Sequence, residues 1–157
     1  MAEPFGKNFR EGVRLILFDP REDRALDQFT LSGMLEYGAD GWDLAPKGTE
    51  IVSLDATAPT GRLRVLDLAT KKVTLVDGQL WRGAQFVSWT ADTRGWIVAR
   101  FLDQGGDVFY VDRDGSSKLL WTSTFQRLTR PTVSPDGRHI AFTSGTMDTS
   151  VWMMRGF

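Results

Sequence analysis

The chain of 157 residues contains no cysteine and only one histidine, His139. Without cysteine it forms neither disulfides nor thiolate zinc sites, and it has no cysteine nucleophile. A Ser-His-Asp triad or a histidine-containing metal site would have to use His139. This residue lies between a turn and the strand that follows it, so we expect a structural role for it. We therefore predict no catalytic residue, no metal site and no cofactor.

Long apolar runs and an excess of charge of one sign are also missing. The net charge is -1, so no overall field attracts nucleic acid or an anionic membrane. No run approaches the roughly 20 apolar residues of a membrane helix, and residues 1–8 lack the apolar stretch of a secretory signal. We expect no nucleic-acid partner and no membrane contact. A chain without thiols suits the cytoplasm and the bacterial periplasm equally, so the compartment stays open.

The chain does contain a repeat. Pro46, Ala91 and Pro135 occupy equivalent turns that lie 45 and 44 residues apart, and a short apolar strand follows each. Asp67 and Asp112, which begin a second type of turn, are also 45 residues apart. Each repeat is predicted to contain four strands separated by turns. Four strands in a period near 45 residues are typical of a β-propeller blade.

The third copy of the repeat is the most regular. Residues 133–144 read Val-Ser-Pro-Asp-Gly-Arg-His-Ile-Ala-Phe-Thr-Ser, in which Pro-Asp-Gly presets a tight turn. This stretch resembles the WD40-like repeat of TolB-type propellers. The other copies depart from that pattern, with Ala91 in place of proline and Lys47 in place of aspartate. The resemblance covers residues 13–157 and implies an all-β fold of four-stranded antiparallel blades, but it says little about activity.

The predicted strands make one partial propeller domain, residues 1–157, of about 3.5 blades, whereas closed propellers have about four to eight. In one interpretation the chain is a piece of a larger propeller. In the other, which we favour, two copies close a ring of six or seven blades, and residues 24–31 of one copy supply the strand that the other's last blade lacks. Residues 13–18 would then compete with residues 151–154 for the position of the third strand in that last blade. The predicted blades are 13–31 (half), 40–77, 84–122 and 129–157 (three strands).

Propellers bind ligands through the loops that join one blade to the next, and here these loops are aromatic and basic. Arginine and aromatic side chains are common anchors of recognition surfaces. Alternatively, the aromatic residues pack between the blades and the arginines are structural. The candidate binding residues are Trp42, Trp81, Arg82, Gln85, Arg127 and Arg130, accompanied in the same loops by Tyr37, Asp40, Phe125 and Gln126.

The resemblance implies a non-enzymatic binding or scaffold module, because TolB-like propellers bind proteins or peptides in envelope complexes. The expected partners are a second copy of the chain and a protein or peptide ligand. One alternative is the access-gating propeller of a prolyl-oligopeptidase-type peptidase. A Gly-x-Ser-x-Gly nucleophile motif is absent from this sequence, so a separate domain would have to carry the reaction. Another alternative is an engineered or reconstructed half-propeller whose function is association itself.

Overall fold

The computed structural model describes residues 2–4, 13–31, 41–55 and 58–146. All regular structure in these residues is β-strand, which confirms the all-β prediction. Short strands rich in β-branched and aromatic residues alternate with turns that contain glycine, proline and aspartate. The strands are β1 Ala2–Pro4, β2 Val13–Asp19, β3 Arg24–Leu31, β4 Trp42–Leu44, β5 Glu50–Leu54, β6 Gly61–Asp67, β7 Val73–Gly78, β8 Phe86–Trp89, β9 Gly95–Phe101, β10 Gly106–Asp112, β11 Ser117–Ser123, β12 Arg127–Val133 and β13 Ile140–Gly145.

The strands form four antiparallel sheets. Sheet 2 (β4–β5–β6–β7) and sheet 3 (β8–β9–β10–β11) are complete four-stranded units, as the repeat predicts. Sheet 1 has the order β1–β2–β3, and sheet 4 pairs β12 with β13. The sequence predicted only a hairpin in sheet 1, because the three residues of β1 show no alternating apolar pattern. The predicted strand at 151–154 lies outside the described residues.

The turns that precede β9 and β13 are built in the same way. Ser134 Oγ donates to Asp136 Oδ1 and accepts from the backbone N–H of His139 at 3.0 Å. The N–H of Arg138 also donates to Asp136 Oδ1. The hydrogen bond from Ser134 and that from the Arg138 N–H hold the pKa of Asp136 below its ordinary value. The same set of bonds joins Thr90, Asp92, Arg94 and Gly95.

The main core lies between sheets 2 and 3. Its fully buried side chains include Trp81, Trp96, Val52 and Val98. A second cluster joins sheet 3 to sheet 4, where Leu128 of β12 is completely buried. Its neighbours in the cluster are Phe86, Ile97, Ala99 and Val108. Sheet 3 thus packs against sheet 2 on one side and against sheet 4 on the other, as stacked repeats require.

The first strands of the last three sheets approach one another. β8 lies against β4 on one side and against β12 on the other. In each of these three sheets the strands pair in chain order, so every later strand lies farther from the contacts that β8 makes with β4 and β12. Strands β4, β8 and β12 are therefore the inner strands of an arc, and the surface they share is where the candidate site lies.

Candidate functional site: a groove on the inner strands

A groove of about 540 Å³ runs across the three inner strands. Of the predicted binding residues, it brings together Trp42 and Arg130, on opposite walls. Its lining mixes aromatic, aliphatic and polar side chains, which suits recognition of an amphipathic segment. The lining residues are Trp42, Asp43, Leu44 and Pro46 of sheet 2, Phe86, Val87, Ser88, Trp89 and Ala91 of sheet 3, and residues 130–135 of sheet 4.

Asp43 joins the first wall of the groove to its floor. Its Oδ2 accepts hydrogen bonds from the backbone N–H of Trp89 at 2.8 Å and from Ser88 Oγ at 3.2 Å. Its backbone carbonyl accepts from Trp89 Nε1 at 3.2 Å. The remaining carboxylate oxygen accepts from the N–H of Leu44. These bonds fix β4 against β8, and the sequence did not single out Asp43 for this role because its partners are 45 and 46 residues away.

Trp42 forms part of the same wall. The sequence placed it in a loop, but it begins β4 and pairs with Ser53 of β5. Its side chain is half-buried, and its Nε1 is buried with no hydrogen-bond acceptor among the described residues. The buried Nε1 atoms of Trp81 and Trp96 are in the same situation. Trp42 therefore contributes a half-buried aromatic side chain to the wall of the groove.

Arg130 lies in the opposite wall, on a β-bulge. The sequence placed Arg127 and Arg130 in a loop, whereas both lie in β12. The register with β13 shifts between Thr129 and Thr132, so Arg130 and Pro131 stand opposite the single residue Phe142, and β12 carries one extra residue. Arg130 has a φ of 51°, a left-handed conformation that a residue before proline rarely adopts. Bulges of this kind redirect side chains and are common next to functional sites.

The groove is lined by the edges of three sheets. β4, β8 and β12 each occupy the end of their sheet's strand order. An edge strand presents backbone N–H and C=O groups toward the space beside it. An extended peptide can pair with such an edge while its side chains enter pockets on the two faces. The groove therefore combines three backbone edges with one aromatic and one cationic wall.

Trp81 and Gln85 are structural in this arrangement. Trp81 is completely buried, and its ring fills a slot left by Gly61 and Gly78, where any Cβ atom would collide with it. The side chain of Gln85 is also buried, and its Oε1 accepts from the N–H of Phe101 at 2.9 Å. Both residues stabilise the connection from sheet 2 to sheet 3 and have almost no surface for a ligand, which corrects the prediction that they lie on a binding rim.

The other predicted residues lie away from the groove. Arg82 is exposed and borders a smaller cleft of about 230 Å³ between the β5–β6 loop and the connection from β7 to β8. Arg127 lies 5.2 Å from the ring centre of Phe101, a cation–π distance. Phe125 is 77% exposed. Tyr37 and Asp40 lie outside the described residues, and binding by Arg82 or Arg127 stays a prediction.

The sequence also missed an arginine clamp between sheets 2 and 3. Arg113 makes two hydrogen bonds to Glu50, of 3.1 and 2.6 Å, and its Nε donates to the carbonyl of Thr93. Its guanidinium also lies 5.1 Å from the ring centre of Trp89 and 5.7 Å from that of Trp96. The hydrogen bonds to Glu50 raise the pKa of Arg113. No local pattern could have indicated this pair, because the partners are 63 residues apart.

The described residues contain neither a candidate metal site nor a membrane-spanning helix. No three His, Asp or Glu side chains in this part of the chain converge where a metal ion could bind. Nor does the described chain include a helix with the length and apolarity needed to cross a membrane.

Comparison with solved structures identifies the fold. The chain is similar to TolB from Acinetobacter baumannii, with a TM-score of 0.64 and 19% identity over 90% of this chain and 33% of that one. Hydrazine synthase from Kuenenia stuttgartiensis gives a TM-score of 0.61 and 15% identity, over 87% of this chain and 38% of that one. The periplasmic gluconolactonase PpgL from Pseudomonas aeruginosa gives 0.54 and 16%, over 89% of this chain and 45% of that one. A scan of family models and a search of curated protein sequences return no match.

The chain therefore has the fold of β-propeller blades and resembles TolB-type propellers in structure, as its repeat predicted. It spans between a third and a half of the length of these structures. At these identities the likeness shows the fold alone.

Proposed function

We propose that this chain is a non-enzymatic binding module that takes a protein or peptide segment into the groove on its inner strands, and that it self-associates to close a propeller. The observation that carries the binding proposal is the groove itself. Three sheet edges meet there between Trp42 and Arg130. This combination favours an extended segment, because the backbone edges bind main chain while the two walls select side chains.

The proposed ligand carries a carboxylate group near the Arg130 wall of the groove. Arg130 lines the groove and carries a permanent positive charge. Asp43, the acidic residue of the lining, already accepts hydrogen bonds from β8 and from the N–H of Leu44. We therefore expect an acidic or C-terminal segment to bind with its carboxylate toward Arg130 and away from Asp43.

Self-association is supported by the apolar surface at the edges of the described sheets. Sheet 3 exposes Leu119, Leu120 and Trp121 on its outermost strand. Exposed apolar groups on a strand at a sheet edge favour association with further strands. Light scattering on the purified protein tests this part, and a mass near twice 17.6 kDa is expected.

The binding proposal is tested by selecting peptides from a phage-displayed random library on immobilised protein. Peptides enriched on the wild type should bind at least tenfold more weakly to the variant Trp42→Ala/Arg130→Ala. The matched control is Phe125→Ala/Arg94→Ala, which removes one exposed aromatic residue and one exposed arginine outside the groove. Equal loss in the two variants, or no enrichment on the wild type, would contradict the proposal.

Catalysis is the competing function to be tested, because PpgL is a gluconolactonase of similar fold. Hydrolysis of gluconolactone by the wild type, reduced by substitutions in the groove, would contradict a non-enzymatic role. We expect the rate with the protein to equal the uncatalysed rate.

A further inference from the structure

Sheet 1 is built like the outer half of a blade. In its β2–β3 turn, Asp19 Oδ1 accepts from the N–H of Arg21, and Asp23 takes a left-handed φ of 48°. The outer turns of sheets 2 and 3 have left-handed residues at the same place, Lys71 with φ 60° and Gly115 with φ 88°. Strands β2 and β3 therefore correspond to the third and fourth strands of a complete blade.

Sheet 1 also packs on sheet 2 as sheet 2 packs on sheet 3. Lys71, in the outer turn of sheet 2, donates to Asp27 of β3 at 2.9 Å. Gly115, in the outer turn of sheet 3, lies so close to β7 that a Cβ there would be 2.5 Å from the carbonyl oxygen of Asp77. In both cases the outer turn of one sheet contacts the outermost strand of the preceding sheet. Sheet 1 is thus the preceding blade of the same arc.

Sheet 4 is the complementary inner half of a blade. The hydrogen bonds of its turn show that β12 and β13 correspond to β8 and β9. The equivalent strands differ in burial, since Trp96 of β9 is 1% exposed and Ile140 of β13 is 36% exposed. β9 pairs with β10 on its outer edge, whereas no strand of the described chain pairs with the outer edge of β13. Within the part of the chain that the structure describes, β13 is exposed because no strands equivalent to β10 and β11 follow it.

β13 also lacks the features that normally protect an edge strand. Its six residues include no charge and no proline. Natural edge strands usually carry such residues, which discourage pairing with other chains. The apolar side chains exposed near this edge are Leu120, Trp121 and Ile140, and those exposed on sheet 1 are Leu17, Phe18 and Leu26.

We propose that a second copy of this chain completes sheet 4: strands β2 and β3 of one copy join β12 and β13 of the other in one composite blade. This inference rests on the self-association proposed above and specifies its interface. β1 pairs with β2 only at residues 13–15, and β2 continues past β1 to Asp19, so residues 17–19 are the part that meets β13. Because each copy contributes both halves, two copies form two composite blades. With the two complete sheets of each copy, they close a ring of six blades.

The absence of cysteine makes this interface testable by disulfide cross-linking. Ala141→Cys is placed on β13, and Leu17→Cys on β2 of a separate variant. These positions correspond to Ile97 and Tyr110, which pair directly across β9 and β10 in sheet 3. Disulfides form only when the two Cα atoms lie about 4.4–6.8 Å apart. The control mixes Ala141→Cys with Gln104→Cys, an exposed position in the β9–β10 loop.

An equimolar mixture of the β13 and β2 variants, mildly oxidised, should give a covalent pair of twice 17.6 kDa at least tenfold more abundantly than the control mixture. Each variant alone should remain largely uncross-linked, because a head-to-tail contact does not bring a position to itself. A dimeric mass without the mixed cross-link would overturn this interface and leave self-association standing. A monomeric mass without the cross-link would overturn both. A variant carrying both thiols that cross-links within a monomer would show that the chain's own sheets meet, and would also overturn the interface.

Discussion

Asp43 should contribute more to stability than any other polar side chain of the groove. The substitution Asp43→Ala removes the acceptor for the N–H of Trp89, a residue that is only 2% exposed. It also removes the acceptor for the Ser88 hydroxyl and the local bond to Leu44. A buried N–H left without a partner costs about 1–3 kcal/mol, and hydrogen bonds to charged groups contribute about 1.5–3 kcal/mol.

We therefore expect Asp43→Ala to lower the free energy of unfolding by about 3 kcal/mol, since these contributions overlap. For a chain of this size that corresponds to a fall in Tm of about 6–12 °C. Asp43→Asn keeps an acceptor for the N–H of Trp89 and should lose less than half as much. Ser88→Ala removes the hydroxyl but leaves the bond to Trp89 in place, so it should lose about 1 kcal/mol.

Urea unfolding at matched protein concentration, followed by tryptophan fluorescence and far-ultraviolet circular dichroism, measures these differences. If Asp43→Ala unfolds within about 0.5 kcal/mol of the wild type, the range for ordinary surface substitutions, the contact does not hold β4 to β8. If Asp43→Asn is as unstable as Asp43→Ala, the negative charge is what matters, and the argument from the unpaired N–H is wrong.

The remaining predictions concern packing, acid stability and backbone strain. Gly61→Ala forces a Cβ into the ring of Trp81 and should lower the free energy of unfolding, measured by urea titration, by about 1–3 kcal/mol. The control is Gly145→Ala, whose added Cβ meets no atom within 4 Å and which should lower the free energy of unfolding far less. The pKa of Asp136 is lower in the folded protein than its ordinary value of 3.8. The ionised carboxylate therefore stabilises the fold fully above pH 3.8, and this stabilisation is lost as the pH falls through the lowered pKa of the folded state. Asp136→Asn lacks this titration, so its Tm should fall less steeply below about pH 4 than the Tm of the wild type. Arg130→Gly should have a free energy of unfolding about 1 kcal/mol higher than that of Arg130→Ala, because only glycine adopts a φ of 51° without strain. Equal stability would show that the bulge relaxes freely.

The repeat was predictable because its chemistry is local. The turn at Ser134, Asp136 and His139 closes through hydrogen bonds among residues at most five apart. Such bonds depend on residue types at fixed spacing, which a sequence displays directly. The turn at Thr90 closes with the same bonds although Ala91 replaces proline, so the aspartate and the hydroxyl residue define it more than the proline does.

The site was less predictable because its geometry depends on pairing between distant segments. Trp81 looks like a recognition residue in the sequence, and only the pairing of Gly61 with Gly78 reveals the slot that buries its ring. In the same way, Trp42 and Arg130 are 88 positions apart, and they line one groove only because β4 and β12 both approach β8.

Arg130 shows why a departure from a local rule can indicate function. An arginine before proline strongly prefers an extended backbone, and holding it at a φ of 51° costs about 1–3 kcal/mol. The bulge also serves the packing of β12. Leu128 and Val133 are five residues apart and would face opposite sides of a regular strand, yet both pack in the cluster between sheets 3 and 4. The extra residue brings Val133 to the core face and places Arg130 in the wall of the groove. Packing and the proposed binding of a ligand together would offset the strain.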